Sequence, residues 1–161
     1  MSKIIVTKGV KEYRQTISKY VNKNDYVLEI GFAWGTTTNL LSKFSRKVIG
    51  IDKGESYFTA IKQYPSLELY KIDGFNVREV LSFGIKFNKI YIDISGCRGI
   101  FDVIKIISMY ESAFEPELIV IKSSKLKRFV EKCGIWNKLG VEMEHDSAVE
   151  DPDNQKYPDC D

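Results

Sequence analysis

The sequence predicts an α/β fold: a doubly wound, mostly parallel sheet of about six or seven strands, with helices on both faces and short or incomplete C-terminal strands. Two observations carry this. Short runs rich in Val, Ile and Tyr recur along the chain, too continuously apolar for strands with one wet face. Between them lie stretches whose apolar residues repeat at helical spacing.

The elements follow in order. A leading helix is expected over Val10–Val21, then a strand at Tyr26–Ile30. A helix starting at Thr36 carries Leu40, Leu41 and Phe44 on one face, and a second strand is Lys47–Ile51. Leu67–Ile72 and Lys89–Ile94 read as the third and fourth strands. Over Ile100–Phe114, residues Ile100, Val103, Ile104, Ile107, Tyr110 and Phe114 share a helix face, which ends before Pro116. Leu118–Lys122 is the fifth strand, Leu126–Cys133 a helix, and Val141–His145 a candidate sixth strand. Residues 1–146 form one domain, and 147–161 an acidic segment that is either an edge strand or a frayed tail.

The 161 residues suffice for one sizeable core, and 43% hydrophobic with 29% charged residues excludes a disordered or fibrous chain. The net charge of +2 conceals an asymmetry. Glu142 to Asp161 hold eight acidic residues and one lysine, a balance of −7, which leaves +9 on the residues before them. Cys97, Cys133 and Cys160 are too few for a disulfide framework and lack metal-binding spacing. No run is long and apolar enough for a bilayer, and the first residues lack the apolar core of a secretory signal. The expectation is a reduced, cytoplasmic protein without a membrane partner.

The segment VLEIGFAWGTTTNLL is the most informative. A buried strand ends at Glu29-Ile30, turns through Gly31, Ala33 and Gly35, and enters a helix. Such a turn lets a ligand approach the backbone, and the helix start offers unpaired N–H groups. The spacing is G-x-A-x-G, not the G-x-G-x-x-G of dinucleotide enzymes. Asp52 follows the second strand, 17 residues after Gly35, placed to accept hydrogen bonds from ribose hydroxyls. Asp73 and Asp93 end the third and fourth strands. Helix capping explains one or two such acids, but four at successive strand tips mark a ligand edge.

On these residues the chain resembles the class I S-adenosylmethionine-dependent methyltransferases, from about Val10 to Lys122, with E-I-G-F-A-W-G at Glu29–Gly35 as their first motif. The middle glycine of that motif is Ala33 here. The resemblance implies S-adenosylmethionine as cofactor. Gly31, Ala33 and Gly35 would pack on its methionine part, with Glu29 orienting that end through water. Asp52 would bind the ribose, and Asp73, Gly74 and Phe75 the adenine. Asp93 would lie near the sulfonium and the acceptor. The family sheet has seven strands with the last antiparallel, and this chain is short for the final two.

The acceptor side is less defined. The fourth strand ends D-I-S-G, without the N/D-P-P-Y type of motif used on amide and exocyclic nitrogens. Lys122-Ser123-Ser124 stands where metal-dependent catechol-type relatives carry acidic and Asn ligands, so no metal is expected. Asp93 with Lys122 is similar to the acid and lysine of ribose 2′-O-methyltransferases, which makes these two the candidate catalytic residues. Lys122 reads equally well as an exposed strand-end lysine. Ser95 and Arg98, in the turn after Asp93, are candidate substrate contacts, Arg98 for an anion. Trp136 reads as a core or interface residue, and the basic stretch Lys125, Lys127, Arg128, Lys132 and Lys138 as a solvated face that phosphate would also suit.

The functional expectation is therefore a methyltransferase with an unassigned acceptor, leaning towards nucleic acid and a ribose hydroxyl. A large acceptor would need the basic surface, a second copy of the chain or a partner protein. The alternative is an inactive S-adenosylmethionine-binding module with a regulatory or scaffold role. A nicotinamide dehydrogenase ranks below both, because its glycine spacing differs.

Overall fold

The computed structural model describes residues 2–94, 96, 98–136 and 142–143. In chain order the elements are β1 (Lys3–Thr7), α1 (Val10–Tyr20), β2 (Tyr26–Ile30), α2 (Thr36–Phe44), β3 (Lys47–Ile51), α3 (Tyr57–Gln63) and β4 (Glu68–Tyr70). They continue with α4 (Val77–Leu81), β5 (Lys89–Ile92), α5 (Ile100–Phe114), β6 (Leu118–Lys122), α6 (Ser124–Val130), β7 (Ile135–Trp136) and β8 (Glu142–Met143).

The main sheet has six strands in the order β1-β6-β5-β2-β3-β4, and every pairing in it is parallel. Its central strands are buried on both faces, as their unbroken Val/Ile runs require. On one face Val27, Tyr91 and Val120 meet Tyr13 and Ile17 of α1 and Leu41 of α2. On the other, Leu28, Ile30, Ile90, Ile92, Ile119 and Ile121 meet Val80 of α4, the apolar stripe of α5 and Leu126 of α6. α3 packs through Ala60 against Phe32 and Leu69.

The sixth strand of this sheet is β1, which the sequence reading did not assign. It pairs with β6 from Lys3↔Leu118 to Thr7↔Lys122. As an edge strand its first residues stay exposed, so its apolar run is short and flanked by lysines. The segment expected to supply the sixth strand, Val141–His145, is described only at Glu142–Met143. These residues pair antiparallel with Ile135–Trp136 in a separate ribbon. Among the described residues no antiparallel strand joins the main sheet. Residues 147–161 lie outside the described residues. Among the described residues no helix is long and apolar enough to cross a membrane.

Candidate functional site

Parallel strands alternate their side chains, and registered partners share a face. Glu29 is in register with Tyr91, and Tyr91 with Val120, so the next inward-facing tips on that side are Asp93 and Lys122. α1 covers this row of strand tips. The turn after β2 is held open at the same edge by three left-handed residues, Gly31 (φ 83°), Ala33 (φ 49°) and Gly35 (φ 76°). Gly31 is also forced by contact: a Cβ there would lie 2.1 Å from the Asp93 carbonyl oxygen. Gly31→Ala is expected to cost about 2 kcal/mol in urea unfolding, combining left-handed strain with overpacking.

Asp52, at the tip of β3, ties two loops together. Its Oδ2 accepts the Ala33 N–H at 2.7 Å and its Oδ1 the Gly54 N–H at 2.7 Å. Each oxygen keeps a second lone pair for a hydroxyl donor. Asp73 accepts the Phe75 N–H at 3.0 Å and pairs with Lys53 Nζ at 3.0 Å. The Phe75 N–H is the larger influence, and together they hold the Asp73 carboxyl below its ordinary range.

These groups surround one cavity of about 190 Å³, lined by Gly31, Asp52, Lys53, Asp73, Gly74, Phe75, Asp93 and Arg98 together with Ile30, Ile51 and Ile94. The candidate residues Glu29, Ala33, Gly35 and Lys122 do not line it. Ser95 lies outside the described residues.

Lys122 Nζ sits 2.9 Å from Asp93 Oδ2, with both side chains about a quarter exposed. Burial raises the Asp93 carboxyl above its ordinary range, and the Lys122 ammonium offsets part of that rise. Glu29 lies beneath the turn, 1% exposed, and accepts a hydrogen bond from Thr38 Oγ1. Desolvation pushes its carboxyl up to about 8, against the Thr38 hydrogen bond. Facing it is the fully buried Tyr13, whose hydroxyl has no hydrogen-bond partner among the described residues and is likewise pushed up by burial. Arg14 of α1 donates its Nε–H to Thr37 Oγ1 at 3.0 Å and lowers both carboxyls electrostatically.

Lys53, Thr38, Tyr13 and Arg14 escaped the sequence reading. Lys53 and Thr38 had a signal, being next to Asp52 and one turn beyond the glycine loop. Tyr13 and Arg14 had none, because nothing in the sequence sets where α1 docks. Trp34 in the turn is 59% exposed, and Trp136 is 78% exposed rather than in the core. Among the described residues no cluster of three or more His, Cys, Asp or Glu residues is arranged to hold a metal ion.

No protein-family model matches the chain, and no curated protein matches it by sequence. Solved structures do resemble it. An rRNA methylase from Streptococcus thermophilus superposes with a TM-score of 0.57 at 13% identity, over 79% of this chain and 81% of that one. Precorrin 8W decarboxylase from Methanobacterium thermoautotrophicum gives 0.57 at 17% identity, over 85% of each chain. CalS10, an amino pentose methyltransferase from Micromonospora echinaspora solved with S-adenosylmethionine bound, gives 0.52 at 12% identity. That match covers 71% of this chain and 48% of CalS10, so the chain spans about half the CalS10 length. The fold is that of the class I S-adenosylmethionine-dependent methyltransferases.

Proposed function

We propose that this protein binds S-adenosylmethionine at the strand tips and transfers its methyl group to a hydroxyl acceptor, with a nucleic-acid ribose favoured. The observation that carries the cofactor reading is Asp52. Its carboxylate is fixed by backbone N–H groups from the β2–α2 and β3–α3 loops, faces the cavity, and keeps acceptor sites for two ribose hydroxyls. Asp73, Gly74 and Phe75 would hold the adenine. The turn Gly31–Ala33–Gly35 would back the methionine part, with Glu29 beneath it. Bound there, S-adenosylmethionine supplies an electrophilic methyl group on a sulfonium. The chain's own task is then to align the acceptor and take its proton. Asp93, ion-paired with Lys122, is the carboxylate at that edge. The lean to nucleic acid rests on this pair, on the exposed Lys125, Arg128 and Lys132, and on an rRNA methylase among the similar structures.

Calorimetry tests the cofactor half. Wild type is expected to bind S-adenosylmethionine and its demethylated product, and Asp52→Ala to weaken both roughly tenfold to a hundredfold, the loss of charge-assisted hydrogen bonds. A folded wild type that binds neither ligand refutes the proposal. Labelled methyl transfer to RNA, protein and metabolite fractions of a cell extract tests the other half. Cofactor binding without transfer to any fraction would favour the inactive module.

A further inference from the structure

Arg98 reads from sequence as a contact for an anionic substrate, but its surroundings belong to the other end of the cavity. Its guanidinium lies 5.4 Å from the centre of the Phe75 ring, in cation–π contact. Asp102, one turn into α5, tethers it through Nη1 at 3.3 Å. Its charge acts on Asp73, and it lines the same cavity as Asp73 and Gly74. Lys105 also approaches Phe75, at 5.7 Å, without lining the cavity.

We infer that Arg98 is a cofactor-binding residue that closes the purine end of the cavity, stacking its planar cation on the adenine while resting on Phe75. The inference builds on the proposed cofactor. A guanidinium suits the task, since it is flat, permanently charged and weakly hydrated. Phe75 and Asp102 hold it before any ligand arrives, so little side-chain freedom is lost on binding. The negative face of a purine attracts it as the Phe75 ring does. The anion it was expected to meet is already supplied by Asp102.

The test is a ladder of ligands measured by calorimetry: S-adenosylmethionine, its demethylated product and adenosine. Arg98→Ala is expected to weaken all three by the same factor, roughly tenfold, the scale of a desolvated cation–π contact. Arg98→Met, which keeps the packing on Phe75 without the charge, should lose nearly as much while melting at the wild-type temperature. Lys105→Ala should bind all three as wild type does. Unchanged affinities in Arg98→Ala and Arg98→Met would overturn the inference, and so would a loss for S-adenosylmethionine that spares adenosine. Failure of wild type to bind any of the three would instead refute the cofactor reading on which the inference rests.

Discussion

Asp93→Asn is expected to lower methyl transfer by roughly a hundredfold to ten-thousandfold while changing affinity for the demethylated cofactor only a few-fold. That is the usual range for loss of a general base. The carboxylate has two features of such a group. It sits at the ligand edge, about a quarter exposed, and burial raises its proton affinity towards the working range. Lys122, 2.9 Å away, pulls the other way by favouring the charged form. Two pH effects follow. Transfer should fall as pH drops through the raised Asp93 value, because protonation removes the base. In Lys122→Met that acid limb should move to higher pH, since the cation that held the value down is gone. Pre-steady-state transfer of a labelled methyl group, followed against pH in wild type and both variants, reads all of this. Equal transfer by Asp93→Asn would remove Asp93 from the chemistry.

Glu29→Gln should change how stability depends on pH more than any other substitution at this site. The buried carboxyl is pushed from an ordinary 4.5 to about 8. Between those values the folded chain keeps a proton that the unfolded chain has released. Stability therefore falls as pH rises through that window, by roughly 1.4 kcal/mol per pH unit. The accumulated loss above pH 8 is on the order of 5 kcal/mol. Gln keeps an acceptor for Thr38 and carries no proton to lose. Urea midpoints at pH 5 should nearly coincide for the two proteins, and at pH 8.5 the variant should be clearly more stable. Asp93, shifted in the same direction, leaves a shallower slope of the same sign in the variant. Parallel profiles for the two proteins would mean that Glu29 ionises normally in the fold.

The legible part of this protein was the part written locally. Continuous Val/Ile runs marked β2, β3, β5 and β6 because burial on both faces demands them. The helix Ile100–Phe114 was read to its final residue because Pro116 stops it. Strand-tip acids and the glycine turn located the edge because they adjoin those runs. What escaped depends on distant partners. β1 is exposed at Lys3 and Ile4 and only partly buried at Ile5 and Val6, so its pairing with β6 is what makes it a strand. Tyr13 and Arg14 reach the site through the docking of α1, which β1 helps to set. Arg98 sat next to the correct strand, yet its neighbour Phe75 lies far away in sequence, and that contact redirects its proposed role from acceptor to adenine.

The place of β1 also has a consequence for the order of assembly. Its partner strand begins at Leu118, so β1 must wait for a strand made more than a hundred residues later. At about 5–20 residues per second, that wait is on the order of ten seconds during synthesis. Long-range parallel pairing of this kind is slow to form once the chain is complete as well. Until it forms, an Ile-Ile-Val run stands unpaired, with Lys3 and Lys8 on either side as charged gatekeepers against pairing with other chains.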